Sequence, residues 1–176
     1  GIFRGAPPQC WARALGVTMI GTVGSDEKAE LAKANGCVHT INYNKENFVE
    51  RVKEITGGQG VPVVYDSIGK DTFTGSLDCL SPLGMMVSYG SASGPVPPFS
   101  LNELASRGSL FITRPSIFSY TAKRNDLEMM AGELFGMVES GKIKIDVNQR
   151  YALKDVAQAH RDLESRKTTG STILIP

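Results

Sequence analysis

The strongest constraint on the fold is an alternation. Apolar runs of strand length occur at 17–23 ("VTMIGTV"), 38–42 ("VHTIN"), 61–68 ("VPVVYDSI"), 84–90 ("GMMVSYG") and 108–113 ("GSLFIT"). Between the first four lie amphipathic stretches, "DEKAELAKAN" at 26–35, "KENFVERVKEIT" at 45–56 and "DTFTGSLDCL" at 71–80. Strands that recur with a helix between them require crossover connections, hence a parallel sheet with helices on both faces. The expected class is α/β, a doubly wound sheet. Local signals agree. Ser25 stands where an N-cap belongs, Asp26 and Glu27 follow in the first turn, and Gly36 and the pair Gly57–Gly58 stand as helix stops. The stretch "PPQCWARALG" at 7–16 reads as a helix beginning at its prolines, with only "GIFRGA" before it to provide an opening strand. The chain is therefore expected to be part of something longer.

From about residue 124 the pattern changes. "RNDLEMMAGELFGMVESGKI" (124–143) and "LKDVAQAHRDLESR" (153–166) read as helices and "STILIP" (171–176) as a short terminal strand. This C-terminal extension is expected either to join the same sheet or to belong to another. The expected division is 1–115 for the α/β unit and 116–176 for the extension.

Composition narrows the function classes. With 19 Lys and Arg against 18 Asp and Glu, the net charge of +1 creates no field to attract nucleic acid or an anionic membrane. No apolar run has the length of a membrane span, and no signal-peptide pattern stands at the start, so a cytoplasmic protein is expected. Cys10, Cys37 and Cys79 lie far apart without a CxxC pair, which argues against a disulfide framework or a zinc site, and they are expected to be small buried side chains. His39 and His160 have no metal-ligand spacing and are expected as partly buried packing residues.

The end of the strand at 17–23 carries an anomaly. Dinucleotide-binding sheets usually place an Asp or Glu there to accept hydrogen bonds from the adenosine ribose. This strand runs into Gly24 and Ser25, with Lys28 one turn later. A glycine allowing close backbone approach, a hydroxyl and a compact cation suit a phosphate; the plainer alternative is an ordinary N-cap serine and a solvated lysine. The loop "GSASGPVPP" (90–98) is long for a compact domain and follows a strand at the edge where open α/β sheets bind ligands. Asp66 in "VYDSIG" could face a ligand there or cap the helix after it, and Arg114 with Pro115 in "ITRPS" is expected to shape the turn leaving its strand.

The stretches "WARALG", "IGTVGSDEK", "INY", "VYDSIG", "SLDCL", "VSYGSASG", "LFITRPS" and "ESRKTTGSTILIP", in this order from Trp11 to Pro176, resemble the C-terminal half of the zinc-free, zeta-crystallin-like quinone oxidoreductases of the medium-chain dehydrogenase/reductase superfamily. The resemblance implies a Rossmann-type sheet truncated at its N-terminus and an NADPH-dependent parent enzyme that passes a hydride to a quinone or another electron-poor enone. It assigns Gly24, Ser25 and Lys28 to the adenosine 2′-phosphate, Tyr43 and Arg166 to its neighbourhood, and Tyr89, Gly90 and Ser91 to the approach to the nicotinamide. No catalytic acid or base is expected in this half. The resemblance also implies a homodimer through the strand at 108–113, and it leaves a second possibility open, a non-catalytic nucleotide- or RNA-binding or structural module. One departure stands out. Where the family has a glycine cluster that seats the pyrophosphate on backbone N–H groups, this chain has "GIFRGAPPQC", and proline offers no N–H.

Overall fold

The computed structural model describes residues 8–165 and 168–176. The elements run α1 (Pro8–Ala14), β1 (Ile20–Val23), α2 (Asp26–Ala34), β2 (His39–Asn42), α3 (Phe48–Ile55), β3 (Val61–Asp66), α4 (Phe73–Asp78), β4 (Leu80–Ser88), α5 (Asn102–Ser106), β5 (Phe111–Thr113), α6 (Ile117–Tyr120), α7 (Arg124–Glu139), β6 (Val147–Ala152), α8 (Val156–Glu164) and β7 (Ser171–Ile175). All strand pairings are parallel: β1 with β2, β3 with β4, β4 with β5, and β6 with β7. The α/β, doubly wound expectation thus holds, with helices in the crossovers.

The sheet is divided. The described strands form β1–β2, β3–β4–β5 and, separately, β6–β7. In the doubly wound order 3-2-1-4-5-6 the first pair and the trio are the two flanks, and the described residues place no strand between β1 and β3. On β3, Val63 and Tyr65 are accordingly 42% and 52% exposed, unusual for apolar positions in the middle of a sheet. Packing nevertheless joins the flanks. Phe73, Leu77, Leu80, Met86 and Leu110 make one buried cluster and Ile41, Val52 and Cys79 another, while Val61 and Val64 of β3 pack against both. The ring of Phe48 on α3 lies directly over Gly75 on α4, where a side chain would collide with it.

Helix starts follow their caps. Ser25 is extended at φ −157° and its Oγ accepts the Lys28 N–H; Asn47 accepts from the Val49 and Glu50 N–H groups, so α3 begins two to three residues later than its apolar pattern suggests. Strand β4 begins at Leu80, four residues before the run at 84–90, because a bulge inserts residues opposite Pro62 and places Leu83 at φ +62°. The C-terminal tail forms its own sheet. Its strand β6, "VNQRYA", carries too many polar residues to register as a strand by composition. Among the described residues no helix is long and apolar enough to cross a membrane.

Candidate functional site

The expected site residues gather in two groups, both at the C-terminal ends of parallel strands. The first lies where β1 and β2 end. Val23 and Asn42 are register partners, so the residues that follow them, Gly24 and Tyr43, emerge side by side, and the Tyr43 N–H donates to the Val23 carbonyl. Tyr43 lies against Gly24 so closely that a Cβ on residue 24 would stand 2.6 Å from the phenol oxygen. Ser25 uses its Oγ as an acceptor from the Lys28 N–H at 3.3 Å, which leaves its O–H proton to donate outward. The ammonium of Lys28 has no carboxylate partner among the described residues. The structure therefore brings Gly24, Ser25, Lys28 and Tyr43 together.

Four neighbours of that group were not anticipated. Asp26 opens α2 beside Ser25, yet its negative charge is answered: Lys45 Nζ lies 2.5 Å from Oδ2 and Asn42 Nδ2 donates to Oδ1 at 2.8 Å. The hydrogen bonds from Lys45 and then Asn42 hold the Asp26 carboxyl below its ordinary value. Asn44 donates to the Gly24 carbonyl at 2.8 Å and secures the turn. The start of α2 thus carries a lysine without a carboxylate partner among the described residues, a serine O–H and an aspartate whose charge is answered, with the Tyr43 ring seated against Gly24. These residues fit an anionic group held on the rim of α2, as a ribose phosphate would be.

The second group lies where β3, β4 and β5 end. A cavity of about 290 Å³ is walled by Phe73, Val96, Phe99 and Ile112, with Ser88, Ser91, Thr113 and Arg114 as its polar side chains and Gly90 at its edge. The apolar wall is continuous, with Phe73 and Phe99 ring centroids 4.8 Å apart. Gly90 presses on the Ser67 backbone, and a Cβ there would lie 2.5 Å from the Ser67 carbonyl oxygen. Arg114 bridges two carbonyls, donating from Nη1 to Ser88 and Gly90 at 3.0 Å each, so it shapes the loop beside it as well as the turn that leaves its own strand. Tyr89 packs edge-on to Tyr65 with centroids 6.4 Å apart, and burial pushes its hydroxyl above the ordinary range, the Ser67 hydrogen bond opposing. Asp66 is buried and neither faces this cavity nor caps α4 in the usual way; it accepts the Ile68 and Gly69 N–H groups and the Thr72 and Ser76 hydroxyls.

The other expected residues are placed less uniformly. Arg166 and most of "GIFRGAPPQC" lie outside the described residues. Cys37 and Cys79 are buried, and burial pushes the Cys79 thiol up to about 11, so it is inert. His39 is half-buried, but His160 is exposed on α8, because that face of the helix meets solvent.

Comparison with known proteins follows the geometry. The zinc-binding dehydrogenase family model matches residues 10–132. The quinone oxidoreductase of Pseudomonas aeruginosa is 54% identical over 166 residues, covering 94% of this chain and 51% of the relative. A 2-haloacrylate reductase from Burkholderia sp is 50% identical over 167 residues, covering 94% and 50%. Among solved structures, Escherichia coli quinone oxidoreductase complexed with NADPH superposes at TM-score 0.91 with 51% identity, covering 96% of this chain and 52% of that one. The chain spans about half the length of the curated relatives it matches. The metal in the family's description finds no ligand set here: among the described residues no three His, Cys, Asp or Glu side chains come together to hold an ion. With its parallel strands, its two clusters at their C-terminal ends and these matches, the chain belongs to the zinc-binding dehydrogenase family, where its relatives are the quinone oxidoreductases.

Proposed function

We propose that this chain is the nucleotide-binding portion of an NADPH-dependent reductase acting on a quinone or another electron-poor alkene. One observation carries the cofactor preference: at the end of β1 the structure has Ser25, a Lys28 ammonium with no carboxylate partner among the described residues and Tyr43 folded over Gly24, while the charge of the nearby Asp26 is answered by Lys45. A carboxylate would repel a 2′-phosphate, whereas this group attracts one. The two relatives whose printed names specify reactions, a quinone oxidoreductase and a 2-haloacrylate reductase, share an acceptor with a polarised double bond, which supports the substrate class.

When bound, NADPH supplies the hydride. The chain's own residues hold and orient it: the β1–β2 group would take the adenosine phosphate, and the cavity beside Gly90 and Ser91 would receive the nicotinamide with its acceptor against the apolar wall of Phe73, Phe99 and Ile112. The described cavity lining contains no carboxylate or imidazole, which agrees with a reduced acceptor that takes its proton from solvent. Residues 1–115 are assigned to the nucleotide-binding domain and 116–176 to the segment that completes the catalytic domain. Strand β5 pairs only with β4 among the described strands, and Phe111 on it is 55% exposed, so a second copy is assigned to that edge.

The test is a calorimetric titration of the chain with NADPH and with NADH at low ionic strength. NADPH is expected to bind roughly tenfold or more tightly, about 1.4 kcal/mol for a charge-assisted contact, and Lys28→Glu is expected to abolish that preference. Equal affinities for the two cofactors, or a Lys28→Glu variant that still prefers NADPH, would refute the assignment.

A further inference from the structure

Asp66 presents an energetic problem that its surroundings solve in an instructive way. It stands at the end of β3, 4% exposed, with no cation within ion-pair distance among the described residues. An ionised carboxylate removed from water without a counter-charge persists only if hydrogen-bond donors replace its hydration. Four do. Oδ1 accepts the Ile68 N–H at 2.7 Å and the Gly69 N–H at 3.0 Å, while Oδ2 accepts the Thr72 hydroxyl at 2.7 Å and the Ser76 hydroxyl at 2.6 Å. Two donors come from the loop after β3 and two from the start of α4, so the carboxylate ties that loop and helix to the strand end.

The loop that Asp66 folds is the template for another. The Ser67 carbonyl accepts the Ala92 N–H at 3.1 Å, and the Ile68 carbonyl accepts both the N–H and the hydroxyl of Ser93 at 2.8 Å. The Lys70 N–H donates to the Gly94 carbonyl at 3.2 Å and the Asp71 N–H to Ser93 Oγ at 3.1 Å. Segment 67–71 therefore zips onto 91–94 largely by backbone groups. Gly90 and Ser91, which line the cavity, are the near end of that zipper, and Arg114 holds its other side through the Gly90 carbonyl.

We propose that Asp66 is a positioning residue for the cavity: it folds segment 67–72, and that segment holds 90–94 in the conformation that receives the nicotinamide end of the cofactor. The statement about the cofactor rests on the functional reading above; the statement about the two loops does not. Asp66 itself lies outside the cavity lining.

The test uses amide hydrogen exchange and NADPH titration on the chain and on Asp66→Ala, with Asp66→Asn as a second variant that keeps the side chain's shape. In Asp66→Ala, exchange at Ala92 and Ser93 is expected to rise about tenfold or more, the loss of one bonded charge's worth of local stability, while Gly21 and Ile41 in the β1–β2 pair keep their wild-type rates. NADPH is expected to bind about tenfold more weakly. Asp66→Asn, whose Oδ1 can still accept from the loop, is expected to show the same pattern with smaller amplitude, and it decides the matter if the alanine variant does not fold. Faster exchange at Ser76 and Leu77 with Ala92 and Ser93 unchanged would overturn the proposal and leave Asp66 as an anchor for α4 alone. Variants that show the exchange pattern alongside a wild-type protein that binds no NADPH would sustain the loop positioning and refute the functional reading instead.

Discussion

Replacing Gly90 with alanine tests how closely the two loops approach. An ideal Cβ at residue 90 would lie 2.5 Å from the Ser67 carbonyl oxygen, 2.8 Å from its Cα and 3.0 Å from its carbonyl carbon. All three are backbone atoms, so no side chain can swing away, and reaching an ordinary contact of about 3.5 Å requires the segments to part by roughly 1 Å. That movement also pulls on the Ala92-to-Ser67 bond and on the Arg114 bond to the Gly90 carbonyl. Overpacking of this kind costs about 1–3 kcal/mol, and at about 2–4 °C per kcal/mol for a chain of this size the melting temperature is expected to fall by roughly 2–12 °C. Gly132→Ala is the matched control. Nothing lies within 4 Å of its ideal Cβ on α7, so the added methyl is expected to stabilise by about 0.5–1 kcal/mol through helix propensity alone. Calorimetric melting of both variants decides the point. A Gly90→Ala protein that melts within about 1 °C of wild type and binds NADPH unchanged would show that the loops are not packed as described.

Three further perturbations bear on different parts of the molecule. Leu77→Ala removes a 1% exposed side chain from the cluster with Phe73, Leu80, Met86 and Leu110, and denaturant unfolding is expected to show a loss of about 2–5 kcal/mol. For Asp66, burial raises the carboxyl but the bonds from Ser76, the Gly69 N–H, Thr72 and the Ile68 N–H outweigh it and hold the value below the ordinary one. A lowered folded value means that the stabilisation is fully present above the unfolded carboxyl value of about 3.9 and is lost as pH falls through the folded one, so the melting difference between wild type and Asp66→Asn is expected to stay level down to about pH 5 and to shrink from there to about pH 2. A difference that stays constant over that range would contradict it. Lys45→Ala strips the cation from Asp26 beside Ser25, and the returned negative charge is expected to weaken NADPH a few-fold while leaving NADH nearly untouched; equal weakening of both in parallel titrations would remove Lys45 from the phosphate's environment.

What could be read in advance was whatever is written locally. Alternation of apolar runs identified the β1–α2–β2–α3–β3–α4 course because each element carries its own period, and Ser25 announced its cap because the N–H it accepts is three residues away. The short helices α5 and α6 and the strand β6 escaped because five, four and six residues of mixed polarity hold no period long enough to register. Gly24 and Tyr43 meet because the register of β1 and β2 carries one to the other, a pairing that neither local stretch announces.

Asp66 shows where local reading stops. Its partners sit two, three, six and ten residues onward, and Thr72 and Ser76 are one helical turn apart, so both hydroxyls face the strand end. That spacing was visible in "DSIGKDTFTGS" and could have marked the residue as one that organises its loop rather than one that meets a ligand. The consequence at 92–94 was not visible, because those bonds join segments more than twenty residues apart, through backbone atoms and one serine hydroxyl that carry no sequence signature at that distance. A cavity wall held in this way depends on the carboxylate beneath it, on the Ser93 hydroxyl and on the positive φ of Gly94, and much less on the side chain at Ala92, which meets Ser67 through its backbone N–H alone. Substitutions at residue 92 are therefore expected to be tolerated, provided that Asp66, Gly90, Ser93, Gly94 and the Arg114 bridge remain.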